Sequence, residues 1–154
     1  MRHSHVLIGA VASALTLACD GSTEPRETFS AALTTAAETP PVTNAPNASG
    51  TATFTLRSGV MEYAIDVSGL TGPSVGAHIH GPAAVGVPAG IIVGFSNLTS
   101  VTTGRLASGT FTTATAAGVS FDSVLVLMRN GNAYLNVHTS LNPGGEVRGQ
   151  IRQP

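Results

Sequence analysis

The chain has no lysine, no tryptophan and a single cysteine, and only 10% of its residues are charged. Its seven basic residues are therefore all arginine, set against eight acidic ones for a net charge of −1. No basic stripe is present to follow a phosphate backbone, which argues against nucleic acid as a partner. Aromatic residues make up 5% of the chain, too few for the platforms on which bases or broad sugar rings stack. One cysteine excludes an internal disulfide. Serine and threonine are plentiful, yet no buried acid–base pair follows from their spacing. Glycine (18) and proline (9) are abundant, and 42% of the residues are hydrophobic. That is the composition of one turn-rich globular domain with a single core.

The N-terminal segment reads as a leader. Met1-Arg2-His3-Ser4-His5 is a short basic stretch, and the apolar run Val6 to Ala18 is too short to span a bilayer as a stable helix. It ends in Leu15-Thr16-Leu17-Ala18-Cys19, which resembles a bacterial lipobox. Residues 1–18 are then a lipoprotein-type signal peptide, Cys19 is the lipidated mature N-terminus, and 19–27 form a flexible polar tether. The expected location is the bacterial cell envelope, on its periplasmic or surface face, with the membrane reached only through that anchor. The alternative is an ordinary cleaved signal and a secreted soluble protein.

Beyond the tether, the periodicity is that of strands. Ala52, Phe54 and Leu56 alternate with threonines and Arg57. After a Ser58-Gly59 turn, Met61, Tyr63, Ile65 and Val67 alternate with Glu62, Ala64 and Asp66. Val75 to His80 and Ile91 to Phe95 are further short strands, and Gly104 to Thr113 alternates less cleanly. Phe121 to Met128 has strand composition but helical spacing of its apolar residues. Ser120 is placed to cap a helix there and Gly131 to close it. Asn142-Pro143-Gly144-Gly145 has the chemistry of a type II turn. These elements predict an all-β fold, an antiparallel sandwich or flattened Greek-key barrel, with at most one short helix near 121–129.

Two segments concentrate the chemistry: Ala77-His78-Ile79-His80-Gly81-Pro82, and Tyr134-Leu135-Asn136-Val137-His138-Thr139. On a strand, His78 and His80 share one face and Ile79 takes the other. Tyr134, Asn136 and His138 likewise share a face, opposite Leu135 and Val137. If the last hairpin pairs symmetrically and without a bulge, His138 lies near Glu146 and Asn136 near Arg148, all on that face. A strand carrying His78 and His80 beside this hairpin would gather three imidazoles, a carboxylate, a guanidinium and a carboxamide.

The same two segments resemble the signature of the CHRD (chordin) domain family. The likeness extends to Phe29–Leu33 with Glu38-Thr39-Pro40-Pro41-Val42, an opening strand and its Glu-Val-Pro-Pro-like turn. It extends also to Gly50–Leu56 and Tyr63–Leu70, the next pair of strands. It covers roughly residues 28–152, the expected β domain. The resemblance implies a short helix before the Tyr-x-Asn-x-His strand. It also implies a binding or interaction module outside the cytoplasm, since the best-known animal member binds an extracellular signalling protein.

Three uses of the polar face stay open. His, Asn, Glu and Arg can satisfy one another and fasten tight turns. Alternatively, His78, His80 and His138 are the nitrogen ligands of Zn or Cu, with Glu146 as a fourth ligand or as a hydrogen-bond partner that fixes an imidazole tautomer. A dismutase-like oxidoreductase is the remaining alternative. Its His-x-His strand is similar, but three candidate ligands make a dinuclear redox centre hard to build. Tyr134, Asn136 and Arg148 complete the cluster in each case. The reading with most support is a non-catalytic binding module for an extracytoplasmic protein or other ligand.

Overall fold

The computed structural model describes residues 26–115 and 118–154. The expected signal peptide, the expected lipidation site at Cys19 and nearly all of the expected tether lie outside these residues. Eight strands follow in order: β1 (Glu27–Thr34), β2 (Ser49–Arg57), β3 (Val60–Ser68), β4 (Ser74–His80), β5 (Ile91–Gly94), β6 (Gly104–Phe111), β7 (Tyr134–Thr139) and β8 (Val147–Gln150). One helix, α1 (Phe121–Arg129), precedes β7. Among the described residues, no helix is long and apolar enough to cross a membrane.

All strands join one antiparallel sheet in the order β5-β4-β7-β8-β1-β2-β3-β6. Alternation explains the first hairpins. Phe29, Ala31 and Leu33 of β1 are buried, as are Ala52 and Phe54 of β2 and Met61, Ile65 and Val67 of β3. Ser58 (φ 46°) and Gly59 (φ 78°) turn β2 into β3 with positive φ at both positions, the geometry that matches strand twist in a two-residue hairpin.

A flat sheet of this width would leave its edges far apart, yet the apolar residues of both edges share one core. Ile92 and Val93 of β5 cluster with Leu106 of β6 and with Leu135, Val137, Val147 and Ile151 from the middle. The sheet therefore curls into a half-barrel. The chain leaving β6 reaches back to the opposite edge, where the Thr115 amide donates to Ile92 O at 3.0 Å. Of the two forms expected from sequence, the flattened barrel is the nearer one.

Helix α1 forms where its spacing predicts. The Ser120 hydroxyl accepts from the Ser123 amide at 3.1 Å, and Val124, Leu125 and Met128 face the core. Asp122 in the first turn and Arg129 in the last suit the helix dipole. Arg129 also binds Glu27 at 2.7 Å, fixing the helix to the start of β1.

Strand β7 is buried on both sides. Leu135 and Val137 enter the core, while Tyr134 and Asn136 are covered on the outer face. Beyond β8, the approach to β1 is close enough that a Cβ on Gly149 would collide with the Ala32 carbonyl oxygen. Replacing Gly149 by Ala is expected to lower stability by about 1–3 kcal/mol through overpacking. Urea denaturation measures this, and an unchanged midpoint would show that the two strands separate freely.

Candidate functional site

Register places the polar side chains. β4 pairs with β7 as His80↔Tyr134, His78↔Asn136 and Gly76↔His138. β7 pairs with β8 as Asn136↔Arg148 and Tyr134↔Gln150. Alternate residues of three neighbouring strands thus share the outer face, with Ala77, Ile79, Leu135 and Val137 opposite them in the core. The structure brings His78, His80, His138, Tyr134, Asn136 and Arg148 together.

The three imidazoles are held differently. His138 donates from Nδ1 to the Pro143 carbonyl at 3.0 Å, which leaves its Nε2 facing His78 Nδ1, also at 3.0 Å. His80 donates from Nδ1 to the Ala89 carbonyl at 2.9 Å, and its Nε2 pairs with the Asn136 carboxamide oxygen at 3.0 Å. One ring nitrogen from each of the three lies within 4.8 Å of the others. Burial, followed by the neighbouring His138 and His80, pushes the His78 pKa down to about 4. Burial also lowers that of His138, against the favourable Pro143 carbonyl. The His78 ring is neutral at neutral pH.

Tyr134 ties this group to the rest. Its ring stacks on His80 with centroids 4.8 Å apart and planes 3° from parallel. The Arg148 guanidinium lies over the same ring, 3.5 Å from its centroid. Arg148 then donates to Val87 O at 2.9 Å, and Gln150 to Ala83 O at 2.8 Å. The Tyr134 hydroxyl accepts from the Ala89 amide at 3.2 Å. With His80 on Ala89 O, four side chains of the face grip the backbone of one loop, residues 81–90.

Glu146 is not part of the cluster, contrary to the parity expectation. Val137, already opposite Val147, also accepts the Glu146 amide at 2.7 Å. Two residues thus face one, and this bulge cancels the alternation. The fully buried Glu146 carboxylate instead accepts from the amide and hydroxyl of Thr71, the Thr139 hydroxyl and Asn142 Nδ2. Burial raises its pKa, but these hydrogen bonds together outweigh burial and hold it below the usual carboxylate range. Its role is to tie the β3–β4 connection to the last hairpin, not to orient an imidazole.

The carboxylate that does approach the cluster is Glu38, which sequence parity could not supply because it follows a 3₁₀ turn (Thr35–Ala37) rather than lying in a strand. The one available signal was its place in the Glu38-Thr39-Pro40-Pro41 run; the Thr34↔Arg148 pairing that brings the end of β1 to β8 is visible only in the structure. Glu38 is buried, and its Oε1 has no hydrogen-bond partner. Burial raises its pKa to about 7, although Arg148, Asn136 and the Thr39 amide all pull the other way. Gly145 makes the space, since a Cβ there would collide with the Glu38 carboxylate. This also corrects the expected type II turn. Asn142 O accepts the Gly145 amide at 3.1 Å, but the positive φ falls on Gly145, at 131°, and not on Gly144.

Gly72-Pro73-Ser74-Val75-Gly76 fits a Gly-x-Ser-x-Gly spacing that the strand reading leaves out. Ser74 opens β4 instead of standing at a strand-to-helix turn, and its hydroxyl donates to Gly76 O at 2.9 Å. None of its hydrogen bonds among the described residues reaches a histidine.

An all-β module with a polar outer face that braces a long loop is the class these features define. A family model for the CHRD domain matches residues 29–151, and the chain belongs to the CHRD domain family. It is 37% identical over 100 residues to chordin of Danio rerio, an alignment covering 61% of this chain and 10% of that protein. The chain thus matches about a tenth of the length of that relative.

The buried carboxyl gives a pH signature. Its folded pKa of about 7 lies above the ordinary 4.5, so the folded state holds a proton that the unfolded chain has released. Glu38's stability contribution is therefore greatest below about pH 4.5 and declines as pH rises through about 7. His78 acts in the opposite sense. Its contribution is complete above 6.5 and is lost as pH falls toward 4. Relative to the parent, Glu38→Gln is expected to gain on the order of 1–3 kcal/mol between pH 5 and pH 8. Parallel stability–pH profiles for the two proteins would show that Glu38 is ionised throughout.

Proposed function

We propose that this protein is a non-catalytic binding module of the bacterial cell envelope, anchored by lipid at Cys19, which meets its ligand through the loop of residues 81–90. The observation that carries this reading is the division of roles across that loop. His80, Tyr134, Arg148 and Gln150 hold its backbone from beneath, while Val85 and Val87 are 66% and 49% exposed above it. Ile91, at the start of β5, is exposed beside them. Apolar side chains on a backbone already fixed by buried hydrogen bonds lose little entropy when a partner covers them. The polar groups beneath are engaged with backbone carbonyls and are not poised for proton transfer to a substrate. Membership of the CHRD family supports the same reading.

Two experiments test it. A photo-crosslinking residue at Val85, in cells carrying the full chain, is expected to give a discrete adduct. Val87→Ser should abolish that adduct without changing the thermal midpoint. A discrete adduct that survives Val87→Ser, or no adduct at all, would remove the loop as the binding surface. For the anchor, Cys19→Ser is expected to move the protein from the membrane fraction to the soluble fraction. Retention of this variant in the membrane fraction would refute lipidation there.

A further inference from the structure

The brace and the loop account for His80 but leave His78 and His138 without a role. Their rings meet at the open end of the polar face, both partly exposed. His138 Nδ1–H is committed to the Pro143 carbonyl and His80 Nδ1–H to the Ala89 carbonyl. Orientation of an imidazole by a carbonyl on one nitrogen is the support that metal-bound histidines use on the other. His78 turns its Nδ1 toward His138 Nε2 at 3.0 Å. That separation is close to the edge of about 3.3 Å set by two nitrogens each 2.0–2.1 Å from a tetrahedral ion.

The backbone is shaped for this approach. Gly76 lies opposite His138 in the ladder, and a Cβ there would sit 3.1 Å from His78 Cε1 and 3.5 Å from His138 Cδ2. Gly94, opposite His78 on the other side, would place a Cβ 3.6 Å from its Cδ2. Gly76 thus clears the space in which the imidazoles meet, whereas a Cβ at Gly94 would make only ordinary contact.

We propose that His78, His80 and His138 form a mononuclear site for a late first-row divalent metal, Zn²⁺ or Cu²⁺. His78 Nδ1 and His138 Nε2 are the primary pair. The ion takes the position of the single proton they share, and His78, losing that proton from Nδ1, carries one on Nε2 instead and stays neutral. His80 is the third ligand: it gives up to solvent the Nε2 proton it donates to the Asn136 carboxamide oxygen and joins through that nitrogen. Neutral nitrogen donors without a carboxylate select Zn²⁺ or Cu²⁺ over Mg²⁺ or Ca²⁺, which demand oxygen. Three ligands leave a fourth position for water or for an atom of a bound partner. The site shares His80 with the brace of the loop, but the metal titration and the Val85 adduct are separate readouts, so either assignment can fail without the other.

The test uses the full chain purified in detergent, stripped with a chelator and titrated with Zn²⁺ or Cu²⁺ alone. The background carries His3→Ala and His5→Ala, so that the leader histidines contribute nothing. One equivalent is expected to bind, unaffected by excess Mg²⁺ or Ca²⁺, with nitrogen hyperfine structure in the spectrum of the Cu²⁺ form. His78→Asn and His138→Asn should each weaken binding by at least about tenfold, and His80→Asn by less. Gly76→Ala removes no ligand, keeps the strand, and should also weaken binding by forcing the two rings apart. Absence of a stoichiometric metal would overturn the site, as would affinity unchanged in both His78→Asn and Gly76→Ala.

Discussion

The register of β4, β7 and β8 is the constraint on which the rest depends. Alternation in β7 sends Leu135 and Val137 into the core, and the opposite face is then obliged to carry Tyr134, Asn136 and His138. A central strand covered on both sides cannot leave polar groups there unpaired, because each would cost about 1–3 kcal/mol. The loop of residues 81–90 meets that requirement by offering the carbonyls of Ala83, Val87 and Ala89 as acceptors. The same bonds work in both directions, since they satisfy the face and give a loop with no helix or strand of its own a fixed path.

Glu38 shows what the arrangement tolerates. A carboxyl with an oxygen lacking any hydrogen-bond partner is costly to bury as an anion. Nearby, Arg148 is buried and makes no direct ion pair among the described residues. Arg148 draws the Glu38 pKa down from a distance without offsetting burial, and Tyr134 receives the guanidinium on its ring face. Gly145 is required here on two counts, its φ of 131° and the collision a Cβ would make with the Glu38 carboxylate. A turn that looks like ordinary Pro-Gly punctuation is thereby part of the polar face.

Much of this was legible from residue order. Period-two alternation located the β2–β3 hairpin, and parity put His78 with His80 and Tyr134 with Asn136 and His138. The Ser120 cap and the spacing of Val124, Leu125 and Met128 favoured a helix over a strand of similar composition, and the family resemblance added to that choice. What could not be read has a common cause. Parity holds only while a ladder is regular, and Glu146 lies at the residue where it breaks. Glu38 lies outside any ladder and reaches the face only because β1 pairs with β8 through Thr34 and Arg148, a long-range adjacency without a local signal. The loop's contribution was hidden for a further reason: it acts through backbone carbonyls, and carbonyls look alike in every sequence.

Burial along the polar face is graded, and the gradient separates two kinds of work. Tyr134, Asn136, Arg148 and His80 are all buried, with His80 at 8% exposure, and most of their hydrogen-bonding groups already have protein partners. Toward the last hairpin the cover ends, and His78 and His138 become partly exposed while remaining in contact with each other. A polar group deep in a β domain is constrained to serve the fold. At the rim, the same type of residue keeps a lone pair that the fold does not require. Asn136 marks the boundary, paired with His80 on the buried side and opposite His78 in the ladder. A ligand held by His78 and His138 would reach His80 and Asn136 next, and through His80 the Ala89 carbonyl. The open end of the face and the loop it braces are thus mechanically continuous, although their chemistry is separate.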